Sequence, residues 1–161
     1  MLMLSRFSGF TLLELMVSIA VLAILLSIGI PSFSSFIDSS QRRAISEGLA
    51  SAVKVARSEA VTRGVETTLC RRNSAGNACS NDANWSVGWL VIPNASGAAP
   101  VRVWDALPAR YTLSQNGGAG PITFTAMGSV QNEGVFNFSL ADGDANIGGY
   151  KVTAIGGFEE D

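Results

Sequence analysis

The chain has 161 residues, 47% hydrophobic and 15% charged, with 11 Lys and Arg against 13 Asp and Glu for a net charge of −2. That is one domain's length with room for an appendage, and a mildly acidic chain lacks the basic footprint of a general nucleic-acid binder. Without any histidine, Ser-His-Asp and Cys-His catalysis, histidine-held metals and the usual neutral-pH acid and base are removed, and two cysteines cannot build a zinc site alone.

The first element is an apolar run from Phe10 to Ile30, 21 residues with Glu14 as the only ionisable side chain. As a helix it spans about 31 Å, close to the hydrocarbon thickness of a bilayer. Ahead of it stands a nine-residue leader whose one charge is Arg6. An ordinary secretory signal would place a small-x-small site after the run, and Gly29-Ile30-Pro31-Ser32-Phe33 is a weak substitute. A plain anchor would leave an intramembrane acid without a partner, at a cost of about 2.5–3.5 kcal/mol.

Gly9-Phe10-Thr11-Leu12-Leu13-Glu14-Leu15 resembles the class III prepilin signal of type IV pilins and type II secretion pseudopilins. The resemblance implies that a prepilin peptidase cuts between Gly9 and Phe10 on the cytoplasmic side and N-methylates Phe10. Cutting there keeps the apolar segment as an anchor. The freed amine of Phe10 and the carboxylate of Glu14 then stand as opposite charges at one end of a membrane helix. In low dielectric they rescue each other, within a subunit or between neighbours. Glu14 therefore reads as an assembly residue. Pro31 lacks an N–H and crowds the preceding turn, so a kink or loosening is expected there. Arg42 and Arg43 lie beyond the anchor, so the positive-inside bias is weak and orientation follows from the resemblance.

The helical pattern continues past Pro31. Ile45, Leu49, Ala52, Val53, Ala56 and Ala60 recur at three- and four-residue spacing and form one apolar stripe, with Glu47, Ser51, Lys54 and Ser58 on the polar side. Glu59 and Arg63 make a favourable i,i+4 pair, and Gly64 is a natural stop. One long helix from about Phe10 to Arg63 is expected, apolar all round and then amphipathic.

Beyond Gly64 the period becomes two. Val65 to Cys70 alternates, and Trp85, Val87, Trp89 and Val91 would share one face of a strand. Further strands are expected at 101–104, 111–114, 122–126, 135–140 and 150–155, separated by turn-rich stretches such as Asn116 to Pro121.

Ala56-Arg57-Ser58-Glu59-Ala60 running into Gly64 is similar to the GspH/FimT group of minor pseudopilins and minor pilins, as are Trp85-x-x-Gly88-Trp89 and Ile122-Thr123-Phe124 before Gly128. The implied fold is α+β and pilin-like, with a long N-terminal helix packed on an antiparallel β-sheet head. The implied divisions are a leader at 1–9, a transmembrane and assembly helix at 10–30, its amphipathic continuation at 31–63, and an exported head at 64–161. The expected place is the bacterial inner membrane, single-pass, with the head in the periplasm. The expected partners are other pilins or pseudopilins and the prepilin peptidase.

If the head is exported the compartment is oxidising, and Cys70 and Cys79, with no competing cysteine, should form a disulfide. Arg71 and Arg72 beside it could touch a phosphate backbone, and some type IV minor pilins of this group are DNA receptors. In those the resemblance would require a basic segment near the C-terminus, where this chain has Gly156-Gly157-Phe158-Glu159-Glu160-Asp161. From Gly64 onward there are five Lys and Arg against nine Asp and Glu, a field that repels DNA. DNA is therefore an unfavoured partner, and solvated loop charges or a rim contact suit the two arginines better. Asp142-x-Asp144-x-Asn146 begins like a calcium loop, but Ile147 and Thr153 occupy the places of its glycine and final acid, which favours a polar turn. Asn94-Ala95-Ser96 matches a glycosylation sequon formally. No metal, cofactor or nucleophile–base set is expected. The leading reading is a structural minor subunit of a type IV pilus or type II secretion pseudopilus, active in filament initiation or assembly. The alternative is a pilus-tip receptor for DNA or another surface ligand.

Overall fold

The computed structural model describes residues 9–117 and 120–160, with the side chains of 28–32 and of Asn132 outside the description. The leader residues 1–8, Arg6 included, also lie outside it. The chain divides into two compact units, Met1–Arg43 and Ala44–Asp161.

The first unit consists, among the described residues, of the start of one helix, α1, Leu12–Arg63. Its apolar side chains from Leu12 to Leu26 are exposed on every side, as are Phe33 and Phe36. Ser18 and Ser27 do not interrupt that surface, because each hydroxyl donates to a carbonyl of its own helix, Glu14 O and Ile24 O, at 2.7 Å. Among the described residues no helix is long and apolar enough to cross a membrane. The described side chains of the run end at Ser27, and the sequence carries it on to Ile30. α1 continues through Pro31, and the kink expected there falls among the side chains outside the description.

In the second unit the same helix lies on a sheet. Ile45, Leu49, Ala52, Val53, Ala56 and Ala60 are all buried, the stripe that the periodicity predicts. Three alanines one turn apart keep that face narrow, so the backbone can approach closely. Gly64 ends the helix with φ +65°, the left-handed stop that glycine adopts without penalty.

Eight strands follow: β1 Thr67–Arg71, β2 Trp89–Pro93, β3 Arg102–Val103, β4 Tyr111–Asn116, β5 Ile122–Phe124, β6 Phe136–Asp142, β7 Ala145–Val152 and β8 Phe158–Glu160. They make two antiparallel sheets, ordered β3-β2-β1-β5 and β4-β6-β7-β8, the antiparallel head expected from the sequence. Leu69, Val91 and Ile122 of the first sheet share one core with Leu113, Phe138, Leu140, Tyr150 and Val152 of the second. Trp85 meets Phe138 edge-on, with ring centroids 4.9 Å apart.

Three local expectations are corrected. Trp85 and Val87 do not extend the strand of Trp89 and Val91. Trp85–Val87 is a short 3-10 helix, capped by Asn84, whose side chain accepts from the Ser86 N–H, and ended by Gly88. The first strand opens at Thr67 rather than Val65, and its residues Thr67 to Cys70 are all buried instead of alternating: Leu69 faces the core, while on the other face Thr68 is met by Asn94 and Thr123 and Cys70 by its disulfide partner Cys79. The strand expected at 150–155 begins earlier, at Ala145, and yields to a turn after Val152; β8 then adds an edge that the sequence reading did not foresee.

Candidate functional sites: the helix start and the disulfide loop

Gly9 and Phe10 precede α1 and are exposed. The Thr11 hydroxyl accepts from the Glu14 N–H at 3.2 Å, and the Leu15 N–H donates to the Thr11 carbonyl at 3.1 Å. Thr11 is therefore the N-cap, and Glu14 holds the third helical position, where an acid faces the positive end of the helix dipole. Thr-x-x-Glu before an apolar run is a capping-box signal. The sequence contains it in Thr11-Leu12-Leu13-Glu14, so the cap is a local signal. Glu14 is thus tied to the start of the helix through its main chain, while its side chain stays exposed, four residues after Phe10.

The second site lies at the end of β1. Cys70 and Cys79 are joined by a disulfide, with Cα atoms 5.5 Å apart. The loop between them folds on Asn73, whose N–H donates to the Ala78 carbonyl at 2.9 Å and whose side chain accepts from Asn77 N–H at 3.1 Å. Arg71 and Arg72 are half-buried and turned onto this loop rather than spread as solvated charges. Arg71 Nε donates to the Asn84 carbonyl and a terminal nitrogen donates to Ser80 Oγ, both at 2.7 Å, with Asp82 at 3.6 Å. Arg72 Nε donates to the Val87 carbonyl at 2.6 Å, with Asp105 at 3.9 Å. Both guanidiniums act as clamps that hold the segment from Ser80 to Val87 against β1. That segment in turn closes the free edge of β4: Gln115 N–H donates to the Ala83 carbonyl at 2.8 Å and Leu113 N–H to Ser86 Oγ at 2.9 Å.

The remaining basic residues that the sequence left open as one patch have other partners. Arg63 pairs with Glu59, and Arg57 donates to the Gly156 carbonyl at 3.5 Å. Asp142 ends β6, receives Arg110 Nε at 3.0 Å, and is followed by Gly143 at φ +59° before β7. This stretch is the polar turn between two strands. Asn94 accepts from Thr68 Oγ1 at 2.8 Å and reaches Glu66 at 3.5 Å. Among the described residues no group of three or more His, Cys, Asp or Glu is placed to hold a metal ion.

Comparison with known proteins agrees with this architecture. The family model described as Type II transport protein GspH matches residues 46–154, and that of the prokaryotic N-terminal methylation motif matches residues 4–30. Two fimbrial proteins of Pseudomonas aeruginosa are each 29% identical over 139 residues, covering 82% of this chain and 84% of the relative. Two crystal structures of the Pseudomonas aeruginosa type IV minor pilin FimU share the fold. One has a TM-score of 0.63 at 23% identity over 78% of this chain and 92% of that one. The other has a TM-score of 0.58 at 22% identity over 74% and 91%. With the GspH model matching well over half of its length and the methylation motif at its start, the chain belongs to the GspH family of pilin-like structural proteins.

Proposed function

We propose that the chain is a minor subunit of a type IV pilus or of a type II secretion pseudopilus, acting in filament initiation and assembly. A prepilin peptidase removes residues 1–9 and N-methylates Phe10. Residues 10–30 then hold the chain in the bacterial inner membrane in a single pass, and residues 31–63 lead into a periplasmic head at 64–161. In the filament the apolar segment leaves lipid and packs among the helices of neighbouring subunits.

The observation that carries this reading is the sleeve of exposed apolar side chains from Leu12 to Leu26, directly after a capped helix start and Gly9-Phe10. Each Leu- or Ile-sized side chain taken out of water is worth about 1.5–3 kcal/mol, so such a surface is stable only in lipid or against other helices. Glu14 would cost energy in either setting unless a positive charge meets it, and the Phe10 amine supplies one. The relatives' descriptions as fimbrial protein and minor pilin favour the pilus. The DNA-receptor alternative gains no support from Arg71 and Arg72, whose guanidiniums are committed to the segment from Ser80 to Val87.

The test is Glu14→Ala in the full chain, expressed in its native membrane. Incorporation into sheared filaments should fall by about tenfold or more, since an unpaired buried charge costs several kcal/mol. Thermal unfolding of the head should not move. Mass spectrometry of the unaltered chain should find N-methylated Phe10 at the mature terminus. Normal incorporation of the variant would refute the pairing, and a mature terminus after residue 30 would mean an ordinary secretory signal.

A further inference from the structure

Two turns of the head share one sequence pattern and one backbone: Thr125-Ala126-Met127-Gly128-Ser129 and Thr153-Ala154-Ile155-Gly156-Gly157. In each, the first N–H donates to the fifth carbonyl, at 2.8 and 2.9 Å, and the fourth N–H donates to the first carbonyl at 2.8 Å. The threonine hydroxyl braces both turns, against Ser129 Oγ in one and the Gly157 N–H in the other, at 2.9 Å. The fourth residue has φ +82° or +76°, which explains glycine there.

The turns lie side by side. Val130 N–H donates to the Ala154 carbonyl at 2.8 Å, and a Cβ on Gly156 would stand 2.5 Å from the Gly128 carbonyl oxygen. Arg57 lies against both, 3.0 Å from a Cβ at Gly128 and 3.4 Å from one at Gly156, and Val61 meets Gly128 from the same helix. The pair displays its third residues to solvent: Met127 is 92% exposed and Ile155 74%, and Val61, against Gly128, is 53% exposed. Turn tips are ordinarily small or polar. Side chains this exposed add nothing to the core, and a cluster of them marks a contact surface.

The charges around the cluster specify its complement. Met127 shares a shallow hollow with Lys54, Arg57, Ser58 and Val61. Lys54 has no hydrogen-bond or ion-pair partner among the described residues, Arg57 gives only to a backbone carbonyl, and the nearby acid Glu59 is taken by Arg63. Two cations without a carboxylate beside apolar tips fit a protein face that carries an acid next to an apolar side chain. They are too few for the multiple phosphate contacts that DNA affinity requires.

We infer that Met127, Ile155 and Val61, rimmed by Lys54 and Arg57, form the surface on which this head receives an acidic, apolar face of a neighbouring filament subunit. The inference rests on the filament-subunit reading above. The test is photocrosslinking of the full chain in its native membrane, with p-benzoylphenylalanine placed singly at positions 127, 155, 22 and 75. Positions 127 and 155 should give an adduct with another protein that itself carries a processed, N-methylated terminus, joined near an Asp or Glu. Position 75, on the disulfide loop, should not. Lys54→Glu, an exposed change that touches no packing, should lower the yield at 127 by about fivefold, the scale of one rim charge. Pilin adducts at 22 but none at 127 and 155 would overturn the surface and leave the filament reading standing. No pilin adduct even at 22 would overturn both. Adducts with DNA at 127, or a yield indifferent to Lys54→Glu, would also overturn the proposal.

Discussion

The two ends of α1 are made from similar residues and behave in opposite ways. Leu22 is 55% exposed and Leu49 is 0% exposed, although both are leucines in one helix. The difference lies in pattern. From Leu12 to Leu26 apolar side chains occupy every face, so no single sheet could cover them. From Ile45 to Ala60 they form one stripe narrowed by alanines, which one sheet does cover. Width of the apolar face, rather than total hydrophobicity, separates the exposed part of the helix from the part that packs in the head.

The strongest way to break the folding half is Gly88→Ala. Gly88 has φ +98° and ψ 174°, a region that other residues essentially never occupy. A Cβ there would stand 2.3 Å from the Trp104 carbonyl oxygen. Backbone strain plus overpacking should cost about 4 kcal/mol or more. Trp85, Trp89 and Trp104, the chain's only tryptophans, all lie in the head, so the tryptophan bands of the near-UV circular dichroism report on it alone and should be lost. The leader removal proposed at Gly9 should continue. A head that melts like the parent would show the Gly88–Trp104 approach to be soft.

The sharpest test of the comparison is one substitution made twice. Leu49→Ala should lower head stability by about 3 kcal/mol, the transfer and cavity cost of a buried leucine. Leu22→Ala should leave the head's unfolding unchanged and reduce filament incorporation instead. Denaturant titration followed by tryptophan fluorescence checks the first, and the sheared-filament assay checks the second. Equal effects of the two on head unfolding would erase the distinction between the two halves of the helix.

The helix was legible in the sequence because its signals are local: the 3.6-residue stripe, the i,i+4 pair and Gly64 all lie within a few residues of what they control. Trp85 and Val87 misled because alternation through Val91 imitates a strand. The break comes from Asn84 and Gly88, whose roles depend on the side-chain cap and on a carbonyl sixteen positions on, at Trp104. β8 was hidden because Phe158-Glu159-Glu160 reads as an acidic tail. What pins it is its pairing with β7 across a turn, where Lys151 faces Glu159 at 3.8 Å, and a residue far away in sequence, Ser46, which donates to Glu160 at 3.2 Å. Likewise nothing near Arg71 or Arg72 announces that the carbonyls of Asn84 and Val87 receive them. The repeated Thr-Ala-x-Gly turns stood in the sequence, but only the fold brings them together.

A smaller effect is expected from Cys70→Ser with Cys79→Ser. The crosslink closes a short loop, and the chain-entropy model assigns it about 2–3 kcal/mol, mostly through the unfolded state. The folded loop has other ties in the Arg71, Arg72 and Asn73 hydrogen bonds. The near-UV spectrum at low temperature should therefore be retained while the unfolding midpoint falls. A collapsed spectrum would mean that the disulfide, rather than the arginine clamps, positions the segment before β2.

The smallest effect belongs to the other end of the chain. Thr11→Ala removes the hydroxyl that receives the Glu14 N–H, a loss of about 1 kcal/mol for an N-cap. It acts on the first turn alone. Hydrogen exchange of the full chain in detergent micelles should show faster exchange at the Glu14 amide, with the amides of Leu49 and Val53 unchanged. Thr11→Ser should restore protection, because serine keeps the acceptor. Glu14→Gln separates cap from charge: its backbone N–H still reaches Thr11, so exchange should stay slow, while filament incorporation falls for want of a carboxylate. If Thr11→Ala and Glu14→Gln instead gave the same loss of incorporation and the same loss of protection, the carboxylate would be acting through the helix start rather than through the Phe10 amine. The charge pairing proposed for assembly would then be unnecessary.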